Sequence, residues 1–184
     1  MRRALSIHPQ SRSPGAARIE VEVARPRPSN LVLRYIVTGA MDELYLPPPT
    51  APARVDELWR RTCFEAFVGA LPGAAYFEFN FSPSTQWAAY RFSSYRTGMC
   101  VAAEIAAPLM EVRRTDSRCE LRVCLALDRA PLLPSDAAWR LGLSAVIEEA
   151  TGARCYWALA HPPGAPDFHH AAGFACELPM PEPL

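Results

Sequence analysis

YFEFNFSPSTQWAAYRF, residues 76–92, is the stretch on which the fold turns. Phe77, Phe79 and Phe81 alternate with Tyr76, Glu78 and Asn80, the period of two that places successive side chains on opposite faces of a strand. A cluster of turn formers follows, and Trp87 to Phe92 alternates again, so the segment reads as a hairpin. Taking Pro83 to Gln86 as a four-residue loop pairs Ser82 with Trp87, Asn80 with Ala89 and Glu78 with Arg91. One face then carries Phe77, Phe79 and Phe81 opposite Phe92, Tyr90 and Ala88, an aromatic core face. The other shows Tyr76, Glu78, Asn80, Trp87 and Arg91.

The preceding run CFEAFVGA, 63–70, extends the pattern. With 69–74 as the connection, Phe64, Ala66 and Val68 join the core and Glu65 lies opposite Glu78. Glu65, Glu78 and Arg91 form one row across three strands, where opposed like charges need compensation. Carboxylates, an amide, an arginine and a tryptophan on one sheet face are the equipment of a polyol-binding surface, where aromatic faces stack on sugar C–H groups and polar groups hold hydroxyls. The bland reading of the same residues is a solvated face with one cross-strand ion pair.

Alternation continues along the chain at 19–26, 31–37, 119–127, 155–161 and 174–178, each run bounded by Pro, Gly or Ser. Many short strands at regular spacing suggest a sandwich or jelly roll. Residues 135–152 conflict. A Ser/Asp start, Trp139, Leu143 and Ile147 at helical spacing and a closing Gly152 fit a helix, yet Trp139, Leu141, Leu143, Ala145 and Ile147 also alternate as in a strand.

The totals bound the rest. At 184 residues the chain fits one domain: a flexible segment over 1–18, the β module over 19–178 and a short proline-rich tail over 179–184. Nineteen basic and nineteen acidic residues balance, which gives no electrostatic reason to expect nucleic acid or an anionic membrane as partner. No signal-peptide core and no bilayer-length apolar run follow the N-terminal arginines, so a cytoplasmic location is expected. Six scattered cysteines without a C-x-x-C pair read as reduced and mostly buried.

The stretches LWRRTCFEAFVG, YFEFNFSPSTQWAAYRF and YWALAHPPGAPDFHHAAGF together resemble the bacterial DOMON-like proteins, a branch near the family-9 carbohydrate-binding modules. The resemblance spans about residues 58–178 and implies an all-β, jelly-roll β-sandwich, which makes 139–148 a strand. It also implies a ligand held between aromatic and polar side chains, with Glu65, Tyr76, Glu78, Trp87 and His169 on motif positions. Haem-binding relatives supply axial Met with His or Lys; here Met99, Met110 and His161 are the candidates.

HPPGAPDFHHAAGF, 161–174, holds three of the four histidines. His161, Asp167 and His169 are candidate ligands for a divalent metal, but no H-x-x-x-H or H-E-x-x-H spacing is present and four prolines and glycines make the connector rigid. A closing turn with His161 and His169 at a pocket rim is preferred, and neither metal nor haem is expected. The sequence therefore predicts a binding module for a small saccharide or polyol using Glu65, Tyr76, Glu78, Asn80, Trp87, Arg91, His161 and His169. A Glu65/Glu78 or metal-assisted hydrolase and a protein-interaction domain are the alternatives.

Overall fold

The computed structural model describes residues 1–11 and 15–181. Twelve strands form one continuous antiparallel sheet, and no α-helix occurs among the described residues. In chain order they are β1 (Arg2–Ile7), β2 (Ala16–Arg27), β3 (Asn30–Gly39), β4 (Cys63–Ala70), β5 (Tyr76–Phe81) and β6 (Trp87–Phe92). The remainder are β7 (Cys100–Val101), β8 (Leu109–Thr115), β9 (Arg118–Ala126), β10 (Trp139–Glu148), β11 (Arg154–Ala158) and β12 (Cys176–Leu178). Their spatial order is β7-β6-β5-β4-β10-β11-β1-β2-β3-β9-β8, with β12 on β10.

The sheet curls upon itself. β1 is the seam: Arg2 to Leu5 pair with β2, whereas Ser6 and Ile7 pair with β11. The first eighteen residues, expected to be a flexible segment, thus supply a strand to the middle of the sheet; residues 12–14 lie outside the described residues. On either side of the seam a wing folds over, and the two inner faces share one core. Val21, Leu33, Tyr35 and Leu121 come from one wing, and Phe64, Phe77, Phe79, Leu143 and Trp157 from the other. Tyr35 makes the join explicit, its ring 5.0 Å from Phe64 and its hydroxyl donating to the Glu65 carbonyl at 2.6 Å. Residues 139–148 are a strand because the inward positions Trp139, Leu141, Leu143, Ala145 and Ile147 are all buried, and tertiary burial overrides the helical spacing.

The tip of the core is closed by an arginine. Arg25 donates to the carbonyls of Pro28, Ser135 and Ala137, and its guanidinium lies 3.6 Å from the ring centroid of Trp139. A planar cation stacked on indole while serving three carbonyls is a role lysine cannot fill. Arg25→Ala is expected to lower unfolding free energy by about 2–3 kcal/mol, with little recovery in Arg25→Lys, as read from urea midpoints. Loss of less than about 0.5 kcal/mol would show that solvent replaces these bonds.

The hairpin register differs from the one expected. The loop covers 82–86, closed by Ser82 N–H donating to the Gln86 carbonyl at 2.9 Å, with Thr85 in the left-handed region at φ 74°. Phe81 therefore faces Trp87, Asn80 faces Ala88, Glu78 faces Tyr90 and Phe77 faces Arg91. One residue of slip moves every β6 side chain to the other face. Trp87 and Ala89 turn inward, while Ala88, Tyr90 and Phe92 join Tyr76, Glu78 and Asn80 outside. The β4–β5 register also shifts: Glu65 pairs with Asn80, and Glu78 with Phe67.

Candidate functional site

The outer face of the wing built from β4, β5, β6, β10 and β11 is covered rather than solvated. A single 3-10 turn at Leu58–Arg60 and the segment leading to a second at Ala171–Gly173 lie over it. Their apolar groups form a second cluster in which Leu58, Trp59, Phe168 and Phe174 pack on Phe67, Tyr76, Tyr90 and Phe92. Gly142 permits this close approach. A Cβ there would meet the Gly173 carbonyl oxygen at 3.2 Å and the Phe67 Cβ at 3.4 Å.

His169 projects from this cover into the layer, with its ring 5.0 Å from both Phe67 and Phe92. Asp167 fixes the segment that carries it. Its carboxylate accepts from the Tyr95 hydroxyl at 2.6 Å, from Arg96 at 2.8 Å and from the His169 backbone N–H at 3.1 Å. These donors hold the Asp167 carboxyl below its usual range against the opposing effect of burial. His170 caps the closing turn by accepting from the Ala172 N–H at 3.2 Å.

Beneath the cover is a hollow of about 400 Å³, lined by Trp59, Phe67, Phe92, Tyr156 and Phe168 together with Glu65, Glu78 and His169. Arg96, Met99 and Arg154 also border it. The two carboxyls are only 3% and 5% exposed, so they meet solvent only through this hollow. Ser144, opposite Glu65 on β10, approaches Glu65 Oε2 at 3.4 Å, and Asn80 Nδ2 donates to Glu78 Oε1 at 2.7 Å. His169 Nε2 stands 3.6 Å from Glu78 Oε2, and His169 Nδ1 is bonded to the Tyr76 hydroxyl at 2.8 Å. That hydroxyl in turn accepts from the Arg96 N–H at 3.2 Å.

Burial dominates the electrostatics. It pushes Glu65 well above the carboxylate range, aided by the charge of Glu78, and it raises Glu78 to about 7 against the opposing pull of Asn80 and Arg96. Burial, with Arg96 nearby, lowers His169 to about 4. At neutral pH the imidazole is therefore uncharged, Glu78 titrates and Glu65 is pushed toward its neutral form. With the Tyr76 hydroxyl donating to Nδ1, the imidazole proton sits on Nε2 and faces Glu78. The site can thus offer both donors and acceptors without a fixed net charge.

Five of the eight residues read from the sequence meet here: Glu65, Tyr76, Glu78, Asn80 and His169. Three do not. Trp87 lies in the inner core under the Arg54 guanidinium, 4.1 Å from its ring centroid. Arg91 sits at the exposed end of β6, bonded to Cys100 and Glu104. His161 bonds the Ser6 carbonyl at 2.8 Å and packs edge-on against His8 beside the seam. His161, Asp167 and His169 therefore keep separate partners, and among the described residues no group of three or more His, Cys, Asp or Glu is placed to hold a metal ion. The haem candidates also lie apart, with Met99 at the hollow, Met110 on β8 of the other wing and His161 at the seam. Trp59, which by its place before a strand can line a pocket rim or plug the sandwich end, lines the hollow; Phe92, Ser144, Tyr156 and Phe168 are not marked by the sequence, although the outward parity of Ser144 and Tyr156 on their strands is visible once β10 and β11 are paired.

A larger hollow of about 580 Å³ lies on the outer face of the opposite wing. Several of its charges pair: Arg34 bonds Glu120 at 2.6 Å and Glu22 at 3.1 Å. It is open and half-solvated, and such pairs contribute little.

Comparison with protein-family models and with curated protein sequences gives no match. Among solved structures, the chain has a neighbour of the same overall fold. It is similar to the crystal structure of a conjectured carbohydrate-binding protein from Bacteroides uniformis, with a TM-score of 0.64 and 12% identity over 94% of this chain and 83% of that one. At such identity the likeness is one of fold.

Proposed function

We propose that the protein binds a small saccharide or related polyol in the hollow over Glu65, Glu78 and His169. The observation that carries this reading is the pair of buried carboxyls opening into an aromatic-walled cavity, the few convergent polar groups on an apolar wall that small-molecule sites use. Carboxyls accept from hydroxyls, His169 Nε2–H and a protonated Glu65 donate to them, and the Trp59 or Tyr156 ring can lie against C–H groups. The fold likeness supports the ligand class, and the three motif stretches support a DOMON-type jelly-roll sandwich.

Thermal unfolding against mono- and oligosaccharides and nucleotide sugars tests the reading. A ligand at about 100 times its Kd adds roughly 2.7 kcal/mol, and that gain should vanish in Trp59→Ala and in Glu78→Gln while both variants fold. A silent panel, or stabilisation unchanged in Trp59→Ala, would overturn it. The raised carboxyls also favour a second reading, a two-carboxylate hydrolase, because a general acid must hold its proton at neutral pH. Turnover of aryl glycosides that stops in Glu65→Gln would establish it.

A further inference from the structure

We propose that the ligand carries a protonated amine seated between Glu65 and Glu78, an aminated sugar or polyol, an inference that rests on the binding reading above. Two acceptor groups are buried together, and among the described residues neither has a basic side chain bonded to it. Glu65 meets only the Ser144 hydroxyl at 3.4 Å. Glu78 meets the Asn80 amide and, at 3.6 Å, an imidazole that its surroundings keep neutral. A buried carboxylate without a cation is costly, and a protein that needed two polar acceptors for hydroxyls alone could use amides without that cost.

The chain does not fill this place itself. The sequence contains no lysine, so every side-chain ammonium is absent and all nineteen Lys-plus-Arg positions are arginine. The arginines nearest the hollow are Arg96, which is bonded to Asp167 at 2.8 Å and acts on Glu78 only through space, and Arg154 at the rim; Arg61, further along, pairs with Glu148 at 2.7 Å. The other titratable groups near the carboxyl pair are Cys63 on β4, Tyr76 on β5, Tyr90 opposite Glu78 on β6, Tyr35 on β3 beneath Glu65 and His169 on the cover, none of them cationic at neutral pH. Above the pair the rings of Trp59, Phe67, Phe92 and Phe168 line the same hollow. Aromatic faces with a carboxylate beneath them are a setting that favours a compact cation over a neutral hydroxyl. An ammonium offers up to three N–H donors, matching free carboxylate oxygens.

The consequence is proton release. Seating an ammonium favours the ionised form of both carboxyls, so protons leave the pair as the ligand enters, and affinity rises with pH until the pair is ionised or the amine loses its own proton. Neutral sugars carry no such linkage. Isothermal titration calorimetry at about pH 6, in two buffers of unequal ionisation enthalpy, is run with D-glucosamine, D-glucose, N-acetyl-D-glucosamine and 2-aminoethanol. We expect glucosamine to bind at least about tenfold more tightly than either neutral sugar, with proton release on the order of one per site. Glu65→Gln should abolish both differences; a fold check by far-ultraviolet circular dichroism accompanies it, and the buffer comparison on the native protein stands without any variant. Equal affinity for glucose with no proton release overturns the amine while leaving the polyol reading intact. Binding of 2-aminoethanol but of no sugar keeps the amine and overturns the polyol. Silence for all four overturns both.

Discussion

Trp87→Ala should lower the unfolding free energy by about 3–5 kcal/mol, the range for deleting a large aromatic from a packed core. The residue is 4% exposed, faces Phe81 across the hairpin and carries the Arg54 guanidinium on its ring. Arg54 also donates to the carbonyls of Ala89 and Ile105, and the Trp87 backbone exchanges hydrogen bonds with the segment before the Leu58–Arg60 turn, through the Ala53 carbonyl and the Val55 N–H. Deleting the indole therefore opens a cavity and removes the surface that orders an arginine spanning two loops. Domains are stable by only about 5–15 kcal/mol in all, so the variant should show a large drop in its urea midpoint. Trp59→Ala, at the rim, should fall far less. A Trp87→Ala protein with near-native stability and lost ligand binding would mean that the register is the one expected from the four-residue loop and that the inward placement is wrong.

The second large effect is a pair of opposed pH dependences within one site. Glu78 has its folded value raised from 4.5 to about 7, so its contribution to stability is complete below about pH 4.5 and disappears as the pH climbs to about 7. His169 has its folded value lowered from 6.5 to about 4, so its contribution is present above about pH 6.5 and disappears as the pH falls to about 4. Each is worth on the order of 3 kcal/mol at full extent. In the native protein these two slopes oppose one another between about pH 4.5 and 6.5, while Glu65, raised for the same reason, tilts stability downward from about pH 4.5 upward. Separate variants expose them. Relative to the native protein, Glu78→Gln should gain stability steadily as pH rises from about 4.5 to 7, whereas His169→Gln should gain it as pH falls from about 6.5 to 4. Urea unfolding at closely spaced pH values measures both. The carboxylates held low elsewhere, such as Glu20 and Glu120, are common to every protein compared and cancel in the differences. Profiles that run parallel to the native one would show that neither group is shifted by burial.

Period-two alternation was enough to place β2 to β6, β9 and β11 on the chain, because strands half buried against a core must alternate. The register of β6 was not legible, and the cause is local. Residues 82–86 close a five-residue loop as comfortably as 83–86 would close a four-residue one, and hydrophobicity cannot arbitrate because Trp87 and Ala89 on one parity match Ala88, Tyr90 and Phe92 on the other. That tie exists because both faces of this wing are buried. An outward face that is itself covered has no polar signature to mark it, so Phe67 and Tyr156 gave no sign of facing a site. β1 was missed for a different reason: RRALSI is short and begins with two arginines, and its place is fixed by partners far along the chain. Glu65, Glu78 and Asn80 were readable together because three polar groups at strand spacing among phenylalanines demand a reason to be buried.

The seam has a consequence for how the chain is made. Ile7 finds its partner at Trp157 and Ser6 at Ala158, so a strand emerging early waits for one translated about 150 residues later. At ribosomal speeds of roughly 5–20 residues per second, that interval is on the order of ten seconds or more. During it, β2 can pair with the first half of β1 and with β3, but Ser6 and Ile7 present unmatched amide groups, and no curled core can shut. The nascent chain therefore carries an open edge at Ser6 and Ile7 until β11 has left the ribosome, and only then can the seam close.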